Sequence, residues 1–241
     1  MPTAVLIPGN MCDARLWRGG SDALRSTLKR HGVHKVVDAD TMSDRTIAAM
    51  ATRALDATLG SLLVIGFSMG AIVALDMARQ VPERVAAMVL IGLNAGPDLS
   101  DRAALRPAQQ AEVRAGGLER VLVEELKPNY LGEGNRHNTA LLALLRDMGM
   151  GLGPDVFIAQ SEALRTRNDL RPALAGFNRP VLLACGTEDL LCPPAWHRQW
   201  AEMTADARVL EVAGAGHMLP LEDPDALAQA LDKWLTDKEI A

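Results

Sequence analysis

The sequence is short of aromatic residues, with three Phe, four Trp and one Tyr among 241 residues. Carbohydrate clefts and base-stacking platforms lean on aromatic faces, so the scarcity argues against both. Cysteine is scarce too: Cys12, Cys185 and Cys192 are scattered and odd in number. They form no disulfide framework, and the expected compartment is a reducing cytoplasm. Long apolar runs are missing. Those near residues 62–65 and 85–93 fall well short of the ~20 residues a membrane-spanning helix needs. The apolar run at the start soon meets Pro8-Gly9-Asn10, which is unlike a signal peptide. Basic excess is also missing. Thirty acidic residues stand against 25 Lys and Arg, for a net charge of −5, so neither nucleic acid nor an anionic membrane is an expected partner. No His/Cys/Asp cluster has metal-ligand spacing, so no metal and no cofactor is expected.

What remains is ample material for a core, 49% apolar against 23% charged, which excludes disorder as the main state. Short apolar runs alternate with helical stretches. Strands are expected at 4–7, 35–37, 62–65, 85–92, 181–185 and 208–212. Helices are expected at 20–31 (with Ser21 as cap), at 44–59, from the end of 66–70 to about 80, and at 224–235. Strands apolar on both faces and separated by helices signal a parallel sheet covered on both sides. From Pro97 to Asn178 no strand is expected. Helices at 109–114, 118–126, 139–148 and 155–165 are broken by Gly116-Gly117, Gly149–Gly153 and prolines. The expectation is an α/β core over 1–96 and 179–241, with a helical cap over 97–178 serving as a lid.

Gly66-Phe67-Ser68-Met69-Gly70 joins an apolar strand to a helix with no linker. Such a junction forces a tight turn whose tip residue stands clear of the sheet, and the helix N-terminus favours an oxyanion beside it. The pentapeptide alone is weak, and a packing turn with an idle serine is the bland alternative. The strand–turn–helix context makes it strong. A serine hydroxyl needs a base. Of five histidines, His217 alone sits usefully, in Gly214-Ala215-Gly216-His217 after the last strand, where open α/β sheets place their sites. His31, His34, His137 and His197 read as solvated. The base needs a carboxylate to hold its tautomer. Asp189, in Gly186-Thr187-Glu188-Asp189 after the penultimate strand, is the choice, with Glu188 as rival. Glu222 and Asp223 read as caps of the last helix, and Cys192 is not expected to be a nucleophile.

The order Ser68, Asp189, His217, with Ile7-Pro8-Gly9-Asn10 and the three glycine motifs above, resembles the α/β-hydrolase fold superfamily. Within it, the chain is similar to small capped bacterial esterases, enol-lactonases and carbon–carbon hydrolases. The resemblance runs through nearly the whole chain, except that the cap matches nothing specific. It implies an α/β-hydrolase fold with those three residues as nucleophile, acid and base. It also implies an oxyanion hole from the Asn10 and Met69 amides, with Met11 the alternative to Asn10. Pro8-Gly9 departs from the His-Gly common among relatives, but the hole needs only backbone amides. The hairpin that often precedes the first strand is absent, so about six mostly parallel strands are expected.

The pocket is expected between cap and sheet, loosely apolar, from Met11, Trp17, Phe67, Met69, Met148, Met150, Phe157 and Leu191, although each also suits a plain core. The function expected is hydrolysis of a small to medium, mainly apolar ester or lactone. A second reading keeps the triad for carbon–carbon hydrolysis or cofactor-free perhydrolysis, the former with Arg146, Arg165 or Arg167 gripping a dienoate. A third is a non-enzymatic ligand receptor, against which an intact base–acid pair counts.

Overall fold

The structure is a computed structural model and describes residues 2–18, 22–126 and 129–240. Six strands form one sheet in the order β2-β1-β3-β4-β5-β6, with every adjacent pair parallel. They are β1 (Thr3–Ile7), β2 (Val36–Asp38), β3 (Leu62–Phe67), β4 (Val85–Ile91), β5 (Val181–Gly186) and β6 (Ala207–Val212). β1, β3 and β5 are buried at every position, while the edge strands β2 and β6 are largely half-exposed.

The pleat sends alternate residues to opposite faces. Val5, Ile7, Leu62 and Val64 face one core with α2 (Ile47–Asp56) and α3 (Met69–Gln80). Leu6, Leu63, Ile65 and Phe67 face the other with α1 (Ala23–Arg30) and the C-terminal α10 (Pro224–Lys238). Helix α1 begins two residues after the expected cap, Ser21, which lies outside the described residues. The chain runs from β1 out to β2 and back to β3 on the other side. The strand order therefore reverses beside β1, and the loops after β1 and β3 flank the crevice where open α/β sheets bind ligands.

Between β4 and β5 the described residues contain no strand. They form α4 (Ser100–Arg114), α5 (Leu118–Arg120) running into a π-helical turn (Val121–Leu126), a 3-10 turn (Glu133–Asn135), α6 (Thr139–Arg165) and α7 (Arg171–Ala175). Gly116 and Gly153 interrupt this path with positive φ, and Gly153 breaks α6 into two parts. The far end of this stretch packs away from any lid: Ala163, Leu170, Leu174 and Phe177 belong to the core with α3. α8 (Pro194–Met203) follows β5, and α9 (Leu219–Glu222) precedes α10. No helix among the described residues is long and apolar enough to cross a membrane.

Candidate active site

Ser68 sits between β3 and α3 at φ 52°, ψ −113°, a conformation that strains a residue with a Cβ. Its neighbours have no room for one. A Cβ on Gly70 would run into the Ile7 carbonyl, and one on Gly66 into the Gly70 carbonyl. The Ser68 amide is held by the Ile91 carbonyl at 2.7 Å. The turn is thus braced by both neighbouring strands, and the hydroxyl stands at the carboxyl rim of the sheet.

His217 and Asp189 arrive from loops after β6 and β5. His217 Nε2 lies 3.0 Å from Ser68 Oγ, and His217 Nδ1 lies 2.8 Å from Asp189 Oδ2. Both His217 and Asp189 are buried. Asp189 Oδ1 accepts the amides of Leu191 and Cys192, each at 2.8 Å. Burial by itself would raise the Asp189 carboxyl. His217 and these amides outweigh it and hold the group below its usual range. An ionised Asp189 accepts a hydrogen bond from His217 Nδ1–H, which leaves the Nε2 lone pair toward the serine. Cys192 Sγ lies near this pair, but burial pushes its thiol well up, as expected for a non-nucleophile. The two ionisable partners are already committed to each other.

The rival carboxylate, Glu188, turns elsewhere and accepts the Glu133 amide at 2.6 Å. Asp223 does cap α10, through the Ala226 amide. Glu222 does not cap that helix. It accepts the amides of Gly132 (2.8 Å) and Gly216 (3.0 Å), tying the stretch after the π turn to the His217 loop. His197 also departs from expectation. It is fully buried, with Nε2 accepting the Leu93 amide at 3.1 Å, because that amide lies beyond the end of β4 and needs a partner.

Across the crevice, Met11 has φ 54° and its amide donates to Gln160 Oε1 at 2.8 Å. The same oxygen accepts Asn10 Nδ2 at 3.1 Å, and Gln160 Nε2 donates to the Thr41 carbonyl. Gln160, fully buried on α6, therefore fixes the loop after β1. Met11's amide is committed to that contact. Among the described residues no protein acceptor takes the Asn10 or Met69 amide.

A cavity of about 250 Å³ opens over Ser68, Met69 and His217. Phe67, Met69 and Leu191 line it as expected, but Met11, Trp17, Met148, Met150 and Phe157 do not. Trp17 and Met148 fill the core beneath the sheet, Met11 and Phe157 fill a small separate core with Val113 and Val121, and Met150 is exposed. Large apolar side chains went to dry cores, where burial stabilises most. Other apolar side chains, Ile72, Leu105, Leu126, Leu164 and Met218, line the cavity instead, together with the polar groups Asn94, Asp98, Arg102, Arg106, Gln109, Tyr130 and Arg167. Of the three arginines singled out from the sequence, Arg146 and Arg165 form exposed ion pairs with Glu119 and Glu162, so only Arg167 reaches the cavity. The spacing of Arg102, Leu105, Arg106 and Gln109 at i, i+3, i+4 and i+7 was the available signal for that wall, since it places them on one face of α4.

Residues 4–230 match the model of the Alpha/beta hydrolase family. The biotin biosynthesis bifunctional protein BioHC of Cellvibrio japonicus is 24% identical over 97% of this chain, which spans only 47% of that longer protein. The pimeloyl-[acyl-carrier protein] methyl ester esterase of Xanthomonas campestris is 29% identical over 76% of this chain and 74% of its own. Among solved structures, a thermophilic esterase from Thermogutta terrifontis superposes with a TM-score of 0.85 at 24% identity, covering 98% of this chain and 90% of that one.

Proposed function

The chain belongs to the alpha/beta hydrolase family, and from that premise we propose that it is a serine hydrolase cleaving a small carboxylic ester or lactone through an acyl-enzyme. The observation that carries this reading is the relay from Asp189 through His217 to Ser68, with both contacts at 3.0 Å or less. Ser68 Oγ attacks the ester carbonyl while its proton passes to His217 Nε2. Asp189 stabilises the imidazolium that results. The oxyanion gathers at the Asn10 and Met69 amides, each such donor worth about 3 kcal/mol of barrier. His217 then protonates the leaving alcohol, and water activated by the same imidazole releases the acid. A lactone is a cyclic ester and opens by the same steps. The methyl ester esterase among the relatives supports ester chemistry. The helices over the cavity act as a lid, drawn from residues 97–178. Of the three arginines named for a dienoate, Arg146 and Arg165 lie away from the cavity, and Arg167 reaches it already engaged by Asp98 and three carbonyls, so none of the three favours carbon–carbon hydrolysis.

The test is a panel of p-nitrophenyl esters and simple lactones of graded length. Turnover of the shorter members, reduced about 10⁵- to 10⁶-fold in Ser68→Ala, is the expected outcome. Turnover surviving in Ser68→Ala, or no turnover of any ester or lactone, would overturn the reading.

A further inference from the structure

Among the charged side chains that line the cavity, arginines outnumber carboxylates. Arg102, Arg106, Arg167, Asp98 and Glu125 line it alongside Ser68 and His217, and they are unequally engaged. Asp98 is shared by Arg106 (2.6 Å) and Arg167 (2.9 Å). Burial would raise the Asp98 carboxyl, but the two guanidiniums hold it below its usual range. Arg167 is further saturated by the carbonyls of Gly96, Pro97 and Leu164. Glu125 is occupied by Arg120 and Gln109. Arg102 differs from all of these. Its one hydrogen bond among the described residues goes to the Leu191 carbonyl at 3.1 Å, and it has no carboxylate partner there. Leu191 donates in turn to Asp189. The guanidinium is therefore pinned beside the acid loop at the edge of the cavity, with most of its five N–H donors uncommitted.

We propose that Arg102 is the receptor for a free carboxylate on the substrate, so that the natural ester or lactone carries one negative charge away from the bond that is cleaved. This rests on the serine-hydrolase reading above and narrows it. A planar guanidinium fits a carboxylate with two parallel hydrogen bonds. The lining holds one more cation than anions, which suits a monoanion better than a phosphate dianion. In a half-enclosed cavity, such a contact survives screening better than a surface pair does. The roof thus sorts substrates by charge, and the rim cleaves them.

The test compares mono-p-nitrophenyl adipate with p-nitrophenyl hexanoate, which have acyl chains of equal length. The native enzyme is expected to favour the anionic ester by about tenfold to a hundredfold in kcat/KM, mostly through KM. Arg102→Gln removes most of that ratio, Arg102→Lys keeps part of it, and Arg165→Gln, on the outer surface, leaves it where it was. Because the ratio is taken within one protein, partial misfolding does not mimic the effect. Hydrolysis of both esters with no preference, or a preference that Arg102→Gln does not move, overturns the carboxylate receptor and leaves the hydrolase reading intact. If neither ester is cleaved, the hydrolase reading fails, and calorimetric binding of adipate decides the receptor alone. Binding weakened in Arg102→Gln sustains it, and equal or absent binding overturns it.

Discussion

The sheet rim and the helical roof meet across one cavity, yet different forces hold them. At the rim, backbone lies against backbone. Gly70 abuts the Ile7 carbonyl, Gly186 abuts Ala215, and Ser68 is forced to φ 52° between two strands. At the roof, side chain meets side chain. Arg106 and Arg167 share Asp98, Gln109 reaches Glu125, and Gly134 has open space where a Cβ would go, whereas Gly132, where this stretch meets the His217 loop, abuts the Gly214 carbonyl. A rim built from backbone contacts cannot shift without unpairing strands, which suits chemistry that needs sub-ångström placement. A roof built from ion pairs can exchange partners at small cost, which suits recognition.

The largest effect that would sharpen this contrast lies in the relay. Asp189→Asn keeps the shape but presents the wrong tautomer to His217, and kcat for a short ester is expected to fall about 10⁴-fold. A loss of tenfold or less would mean that the rim does not work as a relay. Next come paired glycine substitutions. Gly70→Ala is expected to destabilise by about 3 kcal/mol or more, read as a lowered urea midpoint, because the added methyl meets a strand carbonyl. Gly134→Ala is expected to stay within about 0.5 kcal/mol. Equal costs at the two positions would erase the distinction between rim and roof.

Gln160 crosses that boundary, reaching from α6 to the loop after β1. Gln160→Leu frees the Met11 amide and lets that loop drift, so kcat should fall about 10- to 100-fold with KM little changed. A change in KM alone would assign Gln160 to the roof. The smallest effect is a pH dependence. Burial holds the His197 imidazole below its usual value of 6.5, although the Pro193 carbonyl opposes the shift. Its folded value lies below its unfolded one. The stability it contributes is therefore complete above about 6.5 and is lost as pH falls from there toward the folded value, with a slope of at most about 1.4 kcal/mol per pH unit. Urea midpoints measured from pH 8 to pH 5 should show this slope in the native protein and a shallower one in His197→Gln.

The same contrast decides what could be read from the sequence. Rim motifs are local. A strand, a glycine pair and a serine within nine residues leave one feasible turn, and the loops after β5 and β6 follow the same logic. The buried strands announce themselves by apolar runs. Roof features depend on which way a side chain faces. Helix α4 was expected only from Gln109, because its first turns carry Asp101, Arg102, Arg106 and Pro107 with no apolar stripe. Their inward face meets a cavity and not a packed core, so the usual period is missing. Trp17, Met148 and Phe157 were drawn into dry cores, which no spacing rule distinguishes from a pocket. Gln160 meets Met11 across 149 positions of sequence, a separation no local pattern spans.

The central claim, that Ser68 is the activated nucleophile, is tested most directly by labelling the native protein with a fluorophosphonate and mapping the adduct by mass spectrometry. The account predicts one adduct per chain, on the peptide bearing Ser68, forming quickly in the native protein and far more slowly in His217→Ala. An adduct on another residue, or none at Ser68 while esters are still hydrolysed, would contradict it.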